Sequence, residues 1–202
     1  IDHFGHVCVE DCIRFARRME KYNLAWMEDM IPWMYTEQYV RLRNSTAIPV
    51  CTGEDIYLKE NFKPLLEAGG VSVIHPDILT CGGALELKKI ADMADEHGVA
   101  VAVHMAESPV GCLAAVQTAA AMQNVLALEF HSVDVPWWGD MVTGVPKPLF
   151  ENGFIRVPEK PGLGFDELNE EVLRAHINPS IPGMWESTDA WNKEFSNDRI
   201  WS

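Results

Sequence analysis

Basic residues are scarce in this chain. Sixteen lysines and arginines stand against 30 aspartates and glutamates, giving a formal net charge of -14. No run of Lys or Arg occurs, so nucleic acid and anionic membrane surfaces are repelled and make poor partners. Long apolar runs are missing too. None approaches the roughly 20 residues that a membrane-spanning helix needs, and the N-terminus lacks the shape of a secretory signal. A cytoplasmic location is therefore expected. The five cysteines (Cys8, Cys12, Cys51, Cys81 and Cys112) contain no CxxC pair. They lie mostly in or beside apolar runs, which points to reduced, buried thiols and away from a zinc knuckle. No initiator Met is present either. The chain opens Ile1-Asp-His-Phe-Gly5, where a strand should be ending, and reads as the C-terminal part of a longer polypeptide.

What is present is a ladder of short apolar runs, each ending in a carboxylate. The rungs are Leu24-Ala-Trp-Met-Glu-Asp-Met30, Ile48-Pro-Val-Cys-Thr-Gly-Glu-Asp55 and Val71-Ser-Val-Ile-His-Pro-Asp77. Asp2 precedes Glu28 by 26 residues, and Glu28 precedes Glu54 by 26 again. Between the rungs the apolar period turns helical. In 10–21 the apolar positions are 12, 13, 15, 16 and 19, with acids early and bases late, as the helix macrodipole prefers. Further helices are expected over 36–43, 59–68, 84–97 and 111–122, with Gly69-Gly70 and Gly98 as stops. Strands are expected over 24–27, 48–51, 71–74, 99–103 and 125–130, with Asp2 at the end of a sixth.

With 202 residues, 48% of them hydrophobic, this is one sizeable domain or a large piece of one. Continuous apolar strands, each returned by a helix, make a parallel α/β sheet. A doubly wound sheet would want a glycine-rich phosphate loop, yet neither GxGxxG nor a Walker sequence occurs. A (β/α)8 TIM-type barrel repeats at about 25 to 30 residues and gathers its chemistry at the C-terminal strand ends. Asp2, Glu28, Glu54, Asp77, His104 and Glu129 all fall there. Residues 1–135 are accordingly read as a partial barrel carrying strands 3 to 8, with the first two strands and a capping domain outside the chain. Residues 136–202 are read as a C-terminal segment returning toward that capping domain. It contains a short strand and turn over 153–164, a last helix over 166–176, and a tail anchored by Trp185, Trp191 and Trp201. The tail is expected to pack on a second domain or a neighbouring subunit, which fits a homo-oligomer.

Single acids at strand-to-helix junctions are often helix N-caps. Three at one repeat, pointing the same way, suit one divalent cation, and oxygen-only ligands suit Mg²⁺. Asp77 and His104 end adjacent strands 27 residues apart. A carboxylate on one imidazole nitrogen fixes the tautomer and raises the basicity of the other, so the pair reads as a catalytic dyad. Glu129 could hydrogen-bond or protonate a substrate oxygen, and His131 shares its face by strand alternation. His3 and His6 sit beside Asp2, within possible reach of the site. His75, ahead of Pro76, is read by alternation as sharing no face with Asp77 and is given no role.

In order along the chain, Asp2-His-Phe-Gly5, Trp26-Met-Glu-Asp29, Thr52-Gly-Glu-Asp55, His75-Pro-Asp-Ile-Leu-Thr-Cys-Gly-Gly83, Val103-His-Met105 and Pro161-Gly-Leu-Gly164 resemble the mandelate racemase/muconate lactonizing enzyme family of the enolase superfamily. Within it they are most similar to acid-sugar dehydratases of the galactonate type. The resemblance implies Mg²⁺ held by Asp2, Glu28 and Glu54, His104 as a base oriented by Asp77, and Glu129 contacting the intermediate. It implies a lyase that dehydrates an aldonate or aldarate to a 2-keto-3-deoxy acid. A racemase or epimerase of a 2-hydroxy acid is the alternative, and a non-catalytic barrel stands behind both. The family's paired lysines have no counterpart here. Galactonate dehydratases also carry a His two residues after the first metal ligand, where this chain has Phe4. That leaves His3, or a residue outside the chain, to expel the hydroxyl.

Overall fold

The computed structural model describes residues 1–180 and Met184, so the tail residues Trp185, Trp191 and Trp201 lie outside the described residues. The apolar runs form five short strands: β1 (Met27–Glu28), β2 (Val50–Thr52), β3 (Val73–Ile74), β4 (Ala100–Val103) and β5 (Val125–Leu128). They pair in sequence order, β1-β2-β3-β4-β5, and every pairing is parallel. A doubly wound sheet reverses its order part-way along, whereas a barrel wall does not. The chain is a section of such a wall.

Helices α1 (Val9–Met19), α2 (Thr36–Arg43), α3 (Lys59–Glu67), α4 (Ala84–Glu96) and α5 (Pro109–Ala119) alternate with the strands, and α6 (Glu170–His176) follows later. Strand alternation sorts the core into two faces. Val50, Ile74, Val101 and Val103 turn outward and pack with Tyr39, Leu42, Phe62, Leu87 and Ile90 of the helices. Cys51, Val73 and Ala102 turn to the opposite face, with Trp26 and Ala127 against them. This inner layer of Cys, Val and Ala side chains lies beneath the strand ends, with the Trp26 indole closing one side. The five cysteines are free; four are buried, and Cys8 is exposed.

Several boundaries differ from the sequence reading. The strand expected to end at Asp2 is present as a single parallel bridge from Asp2 to Glu28. The apolar runs outlast the hydrogen-bonded part of each strand, so 24–27 yields only Met27–Glu28. The strand expected within 153–164 is reduced to one antiparallel bridge between Glu151 and Phe154. The last helix starts at Glu170, because the backbone of 166–168 is engaged elsewhere. Thr143 donates to the Glu167 carbonyl at 2.9 Å, and Asp166 donates to the Thr143 carbonyl at 2.9 Å. The segment after 135 folds back onto α5. Trp138 packs with Met105, Cys112 and Val116, and its indole N–H donates to the Glu107 carbonyl at 2.8 Å. Among the described residues, no helix is long and apolar enough to cross a membrane.

The packing of α4 sets a testable contrast. Ile90 is fully buried against the strands, while Asp92 pairs with Lys88 on the exposed side of the same helix. Truncating Ile90 to Ala removes buried methyls and leaves a cavity, costing about 2 to 5 kcal/mol. Asp92→Ala removes an exposed i,i+4 pair worth less than about 0.5 kcal/mol. Urea unfolding of the full-length polypeptide should separate the two variants by more than about 1.5 kcal/mol.

Candidate active site at the carboxyl ends of the strands

Glu28 follows Met27, which faces the helices, so its side chain turns to the inner face. By the same parity His75, Asp77, His104 and Glu129 turn inward beyond β3, β4 and β5. Glu54 arrives by another route. Gly53 has φ of 152°, and a Cβ there would lie 3.0 Å from the His75 backbone nitrogen. Only glycine lets the β2–α3 turn run this close to β3, and that approach carries Glu54 over the strand ends. Asp29 also turns inward, because its backbone enters the left-handed region at φ of 41°.

His104 stands at the centre. Its Nδ1 lies 2.7 Å from Asp77 Oδ2, and its Nε2 lies 3.0 Å from Glu54 Oε2 and 3.9 Å from Glu129 Oε2. A carboxylate at Nδ1 fixes the proton there in the neutral ring and leaves Nε2 as the basic nitrogen. Burial opposes a charge on His104, yet the hydrogen bond to Asp77 and the charges of Glu54 and Glu129 outweigh it and carry the pKa to about 9. His131 Nε2 lies 3.7 Å from Glu129 Oε2.

His75 is the residue the sequence reading passed over. It is 1% exposed, with Nδ1 at 3.4 Å from Glu28 Oε1 and Nε2 at 3.5 Å from Asp29 Oδ2. Burial works against its charge, but the Asp29 carboxylate beside it and the charges of Glu28 and Glu129 raise its pKa, while neither ring nitrogen has a hydrogen-bond partner. The signal was available, since 75 and 77 differ by two and share the parity of the inward-facing Val73. Asp29 was missed because its inward turn depends on a positive φ that no side-chain period encodes. There it accepts the Thr52 hydroxyl. Trp26 donates its indole N–H to Glu28.

The expected cation ligands are placed as follows. Asp2 pairs with Glu28 through its backbone bridge. It shares with Glu28, Trp26, Glu129 and His131 a cavity of about 350 Å³. Ligand atoms of Asp29, Glu54 and His75 gather within 4.8 Å of one another, as do those of Glu28, Cys51 and His75. Asp2 belongs to neither cluster; its Oδ1 accepts the Phe4 backbone N–H at 2.9 Å. His3 turns away, its ring edge-on to Phe15 of α1 at 5.5 Å. Burial raises the Glu28 and Glu54 carboxyls, and neighbouring acids add to it: Glu129 and Asp29 for Glu28, Asp29 and Asp2 for Glu54. A buried Glu129 oxygen has no hydrogen-bond partner. Acids held above their ordinary range by one another form a donor set that a divalent cation fits.

Residues 1–172 match the enolase C-terminal domain-like family. The chain is 40% identical over 164 residues to a D-xylonate dehydratase of Haloferax volcanii, covering 81% of this chain and 39% of that protein. A D-galactonate dehydratase of Variovorax paradoxus is 32% identical over 184 residues, 89% of this chain and 48% of the relative. Among solved structures, a mandelate racemase/muconate lactonizing enzyme-like protein from Rubrobacter xylanophilus superposes with a TM-score of 0.85 at 38% identity. That match covers 90% of this chain and 46% of the other. The 3,6-anhydro-D-galactonate cycloisomerase of Zobellia galactanivorans gives a TM-score of 0.78 at 31% identity, over 88% and 50% of the two chains. The chain thus spans less than half the length of these two curated relatives. With a barrel-wall sheet, strand-end acids and a carboxylate–imidazole pair in the places its motifs announce, the chain belongs to the enolase C-terminal domain-like family, among the mandelate racemase/muconate lactonizing enzymes.

Proposed function

We propose that this chain carries the catalytic half of a Mg²⁺-dependent lyase that dehydrates a sugar acid to a 2-keto-3-deoxy acid. The observation that carries the reading is His104, tied through Nδ1 to Asp77 at 2.7 Å while Nε2 faces the acid cluster. An aldonate or aldarate is the substrate class, in line with the names of the relatives.

Asp2, Glu28 and Glu54 would hold the cation, and His75 lies between the carboxylates of Glu28 and Asp29. A bound divalent ion would supply positive charge that stabilises the carboxylate side of the substrate and makes the adjacent C–H bond more acidic. His104 Nε2 takes that α-proton, and Asp77 keeps the ring oriented as its charge changes. The electron pair left behind expels the β-hydroxyl. A protonated group on the leaving side, His104 itself or another acid, turns it into water. The remaining enol takes a proton at carbon, gives up its hydroxyl proton and becomes the 2-keto acid. Glu129 and His131, on the cavity shared with Asp2, face the substrate's oxygens.

Three outcomes test this reading. Glu54→Gln removes one charged donor, and Mg²⁺ titration calorimetry on the full-length polypeptide should show at least about tenfold weaker binding. Unchanged affinity would remove Glu54 from the ligand set. A second test follows from His104, whose pKa lies above its ordinary 6.5, at about 9. The stabilisation from that charge is fully present below about 6.5 and is lost as pH rises through about 9. Cation-free wild type should therefore lose melting temperature across that window, and His104→Asn should lose less, keeping only the part that comes from His75 and Glu107. Third, wild type incubated with Mg²⁺ and a panel of acid sugars should yield a 2-keto-3-deoxy product, and His104→Asn should lower kcat by about 10² to 10⁴. Exchange of the α-proton without any dehydration product would identify an epimerase instead.

A further inference from the structure

One buried acid beside the dyad has no part in the reaction as described. Glu107 lies in the turn between β4 and α5, its backbone carbonyl pinned by the Trp138 indole at 2.8 Å. Both of its carboxyl oxygens are buried and lack a hydrogen-bond partner. A ligand atom of Glu107 lies within 4.8 Å of one from Asp77 and one from His104. The space it fills is made by Gly111 of α5, where a Cβ would come within 3.1 Å of Glu107 Oε2.

Two carboxyl groups buried side by side do not both ionise, because each charge disfavours the other. The hydrogen bonds decide which one keeps the proton. Asp77 already accepts from three donors, and a carboxylate has room for about one more. Its Oδ1 accepts the backbone N–H groups of Leu79 at 2.6 Å and Thr80 at 3.1 Å, and its Oδ2 takes His104 Nδ1 at 2.7 Å. Glu107 has none. An anion there would be buried with no donor, whereas a neutral acid has an O–H to give and an acceptor beside it.

We propose that Glu107 is a positioning residue: a carboxylic acid that keeps its proton at neutral pH and donates it as a hydrogen bond to Asp77, extending the dyad to a Glu107–Asp77–His104 chain. It acts on the proton transfer only through Asp77, so its part in catalysis rests on the dehydratase reading, while its protonation does not. Burial, together with the bond to Asp77 and the charge on Asp77, pushes the Glu107 carboxyl upward. Burial alone would raise Asp77 too, but the bonds from His104, Glu107 and the two amides hold it well below the usual range. The titratable groups facing Glu107 are Asp77 from the β3–α4 turn, His104 after β4 and the Cys112 thiol of α5. The neutral acid adds a donor without adding a second negative charge beside the histidine.

Infrared spectra and kinetics of the full-length polypeptide test the proposal, with Glu107→Gln and Glu107→Leu as variants. The amide of Gln can replace the O–H donor, and Leu fills similar space without one. Wild type at neutral pH should show the carbonyl band of a protonated, buried carboxylic acid that disappears in alkaline solution and is absent from both variants. The low-field proton resonance of His104 Nδ1–H should shift in Glu107→Leu and return toward its wild-type position in Glu107→Gln. With an acid sugar that turns over, Glu107→Leu should lower kcat about tenfold with little change in KM, and Glu107→Gln should recover most of the loss. A missing acid band, an Nδ1–H resonance unmoved in Glu107→Leu, or equal losses in both variants would overturn the proposal. The two spectroscopic measurements need no substrate, and should Glu107→Leu fail to fold, wild type and Glu107→Gln decide it alone. Wild type that keeps the acid band but turns over no sugar acid would sink the dehydratase reading and leave the protonated Glu107 standing.

Discussion

The carboxylates of Asp2, Glu28, Asp29, Glu54, Asp77 and Glu129 are crowded at one end of a parallel sheet, with His75 and His104 set among them. Unrelieved, such crowding is unfavourable, since burial and mutual repulsion both lift Glu28 and Glu54 out of their ordinary range. The two imidazoles relieve part of it from within the chain. His75 lies against Glu28 and Asp29, and His104 against Asp77 and Glu54. The rest of the structure is arranged to hold this unfavourable grouping in place. Helices α1 to α5 bury the apolar outer face of the strands, and that apolar packing makes the concentration of charge at one rim tolerable.

The division of labour between strand and turn explains what could be read in advance. Helix α2 was legible to the residue, because a helical period bounded by polar turns needs no tertiary information. The Asp77–His104 contact was legible for a similar reason. Neighbouring parallel strands in a regular repeat bring equivalent positions together, and 77 pairs with 104 directly. The strand ends were less legible, because an apolar run reports burial and not hydrogen bonding. Leu24 to Trp26 are apolar, yet Ala25 is exposed, the other two are half-buried, and none lies in a ladder. Leu168 looked like helix and instead bridges to Val142.

The residues that escaped sequence reading share a physical character. His75 was set on the face opposite Asp77, although positions two apart in a strand share a face and both turn inward. Asp29 depends on a left-handed backbone, and Glu107 on a cavity opened by a glycine four residues later in a different element. Asp29 and Glu107 belong to no spacing rule, and only His75 follows the strand alternation. All three support a neighbour that the spacing rules did find: Asp29 and His75 lie under Glu28, and Glu107 beside Asp77. Periodicity locates the groups that meet a substrate, and local backbone detail locates the groups that hold them.

The close pass at Gly53 has a consequence for how such a site can change over time. The turn that delivers Glu54 rests almost directly on the His75 backbone, so the rim and the floor of the pocket form a single mechanical joint with no slack. A larger residue at 53 would lever both away at once. Change in what the site accepts is thereby denied to this joint and falls to the looser surroundings, the segment from His131 onward.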